Sequence, residues 1–343
     1  MDNLIVFDEK LSTYNFYNDI LGKFLEIYKS QVDVQPVLDL RGTKYISPAA
    51  IPVLLSFGDY LRKLYKHPID ILVKEDSDLL NFMICSRFVS ICKQLHIFNF
   101  DETVLESWRY KELRDLHKIS FTNTKYADAD KIEDLVQRRN FIFDCLFDRT
   151  KVIYENILSD TNQLPKSVID TTISSIAEIE TNAIIYSQSY SFTYVASDRF
   201  GTNISVADSG IGFEKSFEKA GRELFTLVGS DNIDLKFRNY LVIMNALNYS
   251  YQKHLKEERE DLWSLKNNVV NNNGILKIQY RNTQVIFSCN RCKYCTKNEN
   301  KKDISACVKC LLERYSEDSY SPIKLFNVGF QGVRIEITIN RGE

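Results

Sequence analysis

One segment limits the fold more than any other, the run from Lys166 to Phe213. It opens with a helical pattern, KSVIDTTISSIAEIETNAIIYSQS, and continues with two strand-like runs, SFTYVAS and NISVAD. It ends in Asp208-Ser209-Gly210-Ile211-Gly212. Ile169, Ile173, Ile176 and Ala183 recur at the helical period and form one apolar stripe. Thr171, Ser175, Glu178 and Asn182 fall on the opposite face, where solvation is the default expectation. Glu178 and Asn182 are four residues apart and stack on that face. A buried strand that runs into Asp-x-Gly-x-Gly is not ordinary loop composition. Glycines there let backbone approach a ligand closely. An aspartate at the strand end can accept a hydrogen bond from an amino group on a base.

The first hundred residues alternate strand and helix signals, which predicts an α/β pattern. PVLDL at Pro36–Leu40 reads as a short strand, and Ile69–Val73 as the next. Between them, Ile51, Leu54, Leu55, Phe57 and Leu61 take helical spacing after Pro48, a residue suited to a helix's first turn. Ser47 reads as the N-cap of that helix. Further on, apolar positions predict a helix over about 129–159, punctuated by Leu164-Pro165. A helix is also expected at Leu262–Val270, and a hairpin from Gly274 through ILKIQY. The last strand, GVRIEITI, places Val333, Ile335, Ile337 and Ile339 on one face.

The paired motifs resemble those of the GHKL superfamily: gyrase, heat-shock chaperones, histidine kinases and MutL. There a helix carries Glu-x-x-x-Asn-Ala and a later strand ends in Asp-x-Gly-x-Gly, here Glu178 to Ala183 and Asp208 to Gly212. The resemblance implies that Glu178 orients and deprotonates the attacking water or hydroxyl as a base. It implies that Asn182 binds magnesium beside the phosphates, that Asp208 binds the adenine amino group, and that Gly210 and Gly212 line the pocket. The expected cofactors are therefore ATP and magnesium. One departure bears on turnover. Where relatives carry a glycine-rich phosphate loop, this chain reads Glu258-Arg259-Glu260-Asp261-Leu262-Trp263-Ser264, without a glycine. Arg259, Lys253 and the N–H groups of a helix start could contact phosphate; Glu258, Glu260 and Asp261 would repel it if they pointed inward. The closing segment has Val333 where relatives have threonine.

DLRGTKYISPAAIPVLLSF resembles the STAS domain of anti-sigma-factor antagonists. In regulated members the helix opens with a phosphorylatable serine or threonine. Here Ser47-Pro48-Ala49-Ala50 stands there, so the resemblance implies a docking module without the phospho-switch. The expected architecture is α/β (α+β), with a STAS-like domain over 1–105 and a GHKL ATPase-type α/β sandwich over 106–343.

Eight cysteines are unevenly placed. Cys85, Cys92 and Cys145 read as buried hydrophobes. Cys289, Cys292 and Cys295 form C-x2-C-x2-C, and Cys307 and Cys310 a second C-x2-C after an eleven-residue gap. Two such knuckles suit four thiolates around tetrahedral zinc. Cys289, Cys292, Cys307 and Cys310 are the expected ligands, with Cys295 as an alternate, in an insertion over about 288–312 between two late strands. From Cys289 to Arg314 there are seven Lys/Arg against three Asp/Glu, a weak pointer to nucleic acid.

The 343 residues carry 44 basic and 46 acidic groups, a net charge of -2 that gives no global drive toward nucleic acid or anionic membrane. No run approaches the roughly 18 apolar residues of a membrane span. The opening MDNLIVFDEK has no basic and apolar regions of a secretory signal, so a cytoplasmic protein is expected. Two functions compete. The first is an ATP-controlled regulatory protein with protein partners through its STAS-like part, as an ATPase or a serine kinase of the anti-sigma type. The second is a non-catalytic, zinc-stabilised interaction scaffold. The sequence leaves the oligomeric state open.

Overall fold

Two sheets share one helix between them. The structure is a computed structural model that describes residues 3–30, 33–109, 116–122, 128–162, 166–187, 189–197, 201–219, 221, 233–257, 262–291 and 304–340. The architecture is mixed α/β.

The chain opens with β1 (Leu4–Val6) and β2 (Lys10–Leu11), then α1 (Thr13–Asn15), a π-helical turn at Phe16–Ile20, and α2 (Leu21–Ser30). β3 (Val37–Asp39), β4 (Tyr45–Ile46), α3 (Ala50–Tyr65) and β5 (Ile69–Leu72) follow. Then come α4 (Asp78–Cys85), α5 (Phe88–Leu95), β6 (Phe98–Asn99) and α6 (Glu102–Glu106). Strands β1, β3, β5 and β6 form a four-stranded sheet in that order, all parallel. β2 and β4 make a separate parallel pair.

The second sheet is antiparallel throughout. Its order is β10-β11-β9-β8-β7, built from β7 (Leu116–Thr122), β8 (Ser191–Ser197), β9 (Gly201–Asp208), β10 (Ile275–Phe287) and β11 (Ile323–Asn340). Between β7 and β8 lie α7 (Leu135–Asn162), α8 (Lys166–Asn182) and a π-helical turn at Ala183–Ser187. α9 (Gly212–Lys219), α10 (Arg238–Glu257) and α11 (Leu262–Asn271) connect β9 to β10. α12 (Ile304–Glu313) lies between β10 and β11.

Strand alternation sends side chains to both faces of this sheet. Val195, Ile204, Val206, Ile335, Ile337 and Ile339 face a core shared with α7, α8, α10 and α11. Phe192, Tyr194, Ala196 and Ala207 face the other way, into a core shared with α3 and the parallel sheet. Every residue of β8 and all but one of β9 are buried, so both faces of the sheet are covered there. α3 explains itself by the same placement. It packs against β5 on one side and β8 and β9 on the other, and its residues from Ala50 through Asp59 are all buried. A helix covered all round needs apolar residues all round.

Most of the elements the sequence predicted are present, although the last strand starts at Ile323, nine residues before the predicted GVRIEITI. The helix expected over about 129–159 begins instead with a 3-10 turn at Ala129–Lys131, and α7 proper starts at Leu135. Leu135 and Val136 stay 57% and 62% exposed there. Ser47 is not the cap of α3. Ala49 takes the cap position, and the Ser47 backbone N–H donates to Leu11 O while its carbonyl accepts from Ala50. The β2–β4 pair holds Ser47 back from the helix start. Leu164-Pro165 falls outside the described residues.

Candidate functional site

Helix α8 and the end of β9 converge on one cleft. A pocket of about 160 Å³ is lined by Ser175, Glu178, Asn182, Asp208 and Gly212 together with apolar residues. Phe213 and Phe217 come from α9, Ala246 and Tyr249 from α10, Leu262 and Leu265 from α11, and Val333 and Ile335 from β11. The cleft thus joins the two motifs that lie far apart in the chain. Gly210 is not among its lining residues. Its backbone N–H donates to Asp208 Oδ1 at 2.8 Å and so orients the carboxylate from behind.

Asp208 is 9% exposed at the tip of β9. Two glycines let the backbone close around it. Gly332 on β11 has φ +89°, and a Cβ there would stand 1.9 Å from the Asp208 carbonyl oxygen. Gly212 has φ +73°, and its Cβ would meet the Tyr280 ring at 2.5 Å. Only glycine takes both the positive φ and the contact. Gln331 Nε2 donates to the Ser209 carbonyl at 2.8 Å and fixes the turn from the β11 side.

Two of the four polar positions on α8 are buried, against the default expectation, while Thr171 and Asn182 stay half-buried. Ser175 and Glu178 are 1% and 4% exposed. α7 covers this face, and Arg139 reaches from it into an ion pair with Glu178. Arg139 Nη2 donates to Glu178 Oε1 and lies 3.5 Å from Asn182 Oδ1. Asn182 Nδ2 lies 3.5 Å from the same Glu178 oxygen. The three side chains form one polar cluster at the edge of an otherwise apolar cleft.

The far wall is tied across the segment where the phosphate loop was expected. Ser250 Oγ accepts the Trp263 backbone N–H at 2.8 Å, which joins α10 to the start of α11. Lys266 Nζ sits 3.8 Å from the centre of the Trp263 ring. Glu258 to Asp261, with Arg259, lie outside the described residues, as does the side chain of Lys253.

A purine fits this donor set. The walls are apolar enough to cover its faces, and Asp208 supplies an acceptor at the floor. Asn182 offers a hard oxygen ligand of the kind magnesium takes. Cys307 and Cys310 are buried three apart on α12, and Cys289 packs against the same apolar cluster. Cys292 and Cys295 fall outside the described residues. Among the described residues, no group of three or more His, Cys, Asp or Glu is placed to hold a metal.

No family model matches the chain, and no curated protein or solved structure matches it either. Among the described residues, no helix is long and apolar enough to cross a membrane.

Sequence reasoning missed Arg139, Asp59 and Gln331. Arg139 stands in a run of two arginines on a helix whose polar positions read as solvated. Nothing local marks it as the partner of a glutamate 39 positions away.

Proposed function

We propose that the cleft binds ATP with magnesium and that its occupancy controls the protein's contacts with other proteins. The observation that supports this reading is the convergence of Glu178, Asn182, Asp208 and Gly212 on a single apolar-walled pocket. Two motifs recognised only by spacing need not have met in space.

Each residue then has a separate task. Asp208 accepts the hydrogen bond of the base's amino group. Phe213, Phe217, Tyr249 and Leu265 cover the ring faces. Asn182 holds magnesium, which neutralises phosphate charge when bound. Glu178 is the base. In turnover the attacking oxygen bonds to the γ-phosphorus, the bond to the bridging oxygen breaks, and ADP leaves with its electron pair. The proton of the attacking water or serine hydroxyl passes to the Glu178 carboxylate.

Zinc belongs to the same proposal. Cys289, Cys307 and Cys310, with Cys292 or Cys295, hold it between β10 and β11. The spacing of the two C-x2-C pairs is what supports that grouping.

Titration calorimetry of the whole protein with ATP, with and without magnesium, tests the reading. Saturable binding that tightens with magnesium supports it. No binding of any adenine nucleotide overturns it and leaves the zinc-stabilised scaffold as the better account.

A further inference from the structure

The proposed base is not a free carboxylate in this structure, and the way it is held is unusual. Arg139 and Glu178 are each 5% exposed at their side chains. A buried arginine–carboxylate pair is most stable as a two-pronged fork. Here one nitrogen carries the whole contact. Arg139 Nη2 meets Glu178 Oε1 and also approaches Asn182 Oδ1, at 3.5 Å. Arg139 Nε and Nη1 have no hydrogen-bond partner among the described residues, and neither does Glu178 Oε2. Buried polar groups are ordinarily satisfied, because each unmade bond costs desolvation without return. A pair that leaves three such atoms unmatched is not an optimised structural bridge.

The segment that carries Arg139 is anchored apart from the main core. The 3-10 turn and the first half of α7 dock on α8 through a satellite cluster, Ala129, Ile142 and Leu146 with Phe143 and Phe147, against Ala177 and Ile184. Tyr154, Ile157 and Leu158, further along α7, belong instead to the main core. Leu135, Val136 and Phe141 lie exposed around Arg139. The early turns of α7 are thus held by a cluster separate from the core under the sheet.

We propose that Arg139 is a brake on this site. It rests on the nucleotide reading above. The guanidinium engages the base through Oε1 and crowds the oxygen of Asn182 that would take magnesium. In this conformation the site binds nucleotide but does not turn it over. Displacement of the first half of α7 releases Glu178 to accept the proton of the attacking group. Arg139 is a positioning residue: it acts through Glu178 and is not among the residues lining the cleft.

The test compares the full chain with Arg139→Gln, Arg139→Met and the double variant Arg139→Gln/Glu178→Gln. ATP binding is followed by calorimetry and turnover by phosphate release, both with magnesium. Wild type should bind ATP with turnover near background. Arg139→Gln should raise kcat by about 100-fold, the lower end of what a positioned base contributes. Its KM with magnesium should stay within about threefold or fall, since Arg139 is not among the residues lining the cleft and its removal frees the Asn182 oxygen. The double variant should return to background. A residue of purely structural value would lower kcat on removal, not raise it. If Arg139→Gln loses its cooperative thermal transition, Arg139→Met carries the test, since its side chain fills the buried site without a charge to hold Glu178. A folded Arg139 variant that binds ATP as wild type does yet turns over no faster overturns the brake alone. So does a wild type whose turnover is already fast and depends on Glu178. Absence of nucleotide binding in wild type and in every variant overturns the reading of the site and the brake with it.

Discussion

Ser209, in the turn that follows Asp208, donates its hydroxyl to the buried carboxylate of Asp59 on α3 at 2.8 Å. The same carboxylate pairs with Arg62 at 2.7 Å and Lys63 at 2.6 Å. The turn of the candidate site is thus bonded to the helix that the two sheets share. Asp59 is fully buried, so its charge needs all three partners. Ser209→Ala removes the neutral one of these three. The expected cost is about 1–3 kcal/mol, the range for a buried hydrogen bond to a charged group. Thermal or urea unfolding measures it, and an unchanged midpoint would mean the bond adds nothing.

Two substitutions separate the tasks assigned in the cleft. Asp208→Ala leaves an amino group of the bound base without its acceptor, for about 1–3 kcal/mol or roughly 5- to 150-fold in affinity. That loss should be the same with and without magnesium. Asn182→Ala should weaken ATP binding in magnesium and have little effect in its absence. Calorimetry under both conditions distinguishes the roles. Equal losses for Asn182→Ala in the two conditions would remove it from metal binding.

How much of this could be read beforehand follows from distance along the chain. Glu178 and Asn182 lie one turn apart on a helix, so their shared face is a property of spacing. Asp208 and Gly212 follow from a strand end and its turn, and these too are local. Phe213, Tyr249, Leu265 and Val333 are ordinary apolar residues in the sequence, and only tertiary packing makes them walls. The pairing of Arg139 with Glu178 and of Asp59 with Ser209 spans 39 and 150 positions. No local period encodes such contacts. The solvated polar face expected on α8 failed for the same reason, because a covering helix is not visible in the pattern it covers.

Acid should loosen the seam between the sheets. Glu336, 6% exposed on β11, pairs with Arg334 at 2.8 Å and Lys277 at 2.9 Å, and Arg334 lies over the Tyr17 ring at 5.2 Å. Burial pushes the Glu336 carboxyl up, but Arg334 and Lys277 outweigh it and hold it below the usual glutamate value. A carboxyl held low in the folded state stabilises the fold above its unfolded pKa, and that contribution is lost as pH falls through the folded value. Wild-type stability should therefore hold from neutral pH to about pH 5 and fall below it. Glu336→Gln should be less stable at neutral pH and show a shallower acid decline. Identical slopes for the two proteins would exclude Glu336 as a contributor.

Metal content provides a measurement independent of nucleotide. Elemental analysis should find about one zinc per chain if the clustered thiols hold it. Cys307 is 4% exposed on α12 and belongs to the core under the antiparallel sheet. Cys307→Ser should lower the zinc content and the thermal midpoint together. Cys92, equally buried but within the core of α3 and the parallel sheet, is the control. Cys92→Ser should lower the midpoint and leave zinc unchanged. A wild-type protein that is stable after exhaustive chelation, with no zinc at any stage, rules the site out.

The closest backbone approach at the site gives the sharpest test of its geometry. A Cβ at Gly332 would overlap the Asp208 carbonyl oxygen at 1.9 Å and stand 3.1 Å from Oδ1. Carbonyl oxygens cannot swing away as a long side chain can, so β9 and β11 must part. That parting breaks the register in which Arg334 faces Ala207. The positive φ at Gly332 adds about 1–2 kcal/mol of strain for any residue with a Cβ. Gly332→Ala should therefore lower stability by more than that strain and weaken ATP binding as well, because Asp208 moves with its carbonyl. Gly221→Ala is the matched control: φ is +61°, but nothing lies within 4 Å of the added Cβ. With no described residue to meet its Cβ, it should pay the strain alone and bind ATP as wild type does. Equal effects of the two substitutions on binding would show that the β9–β11 contact does not set the position of Asp208.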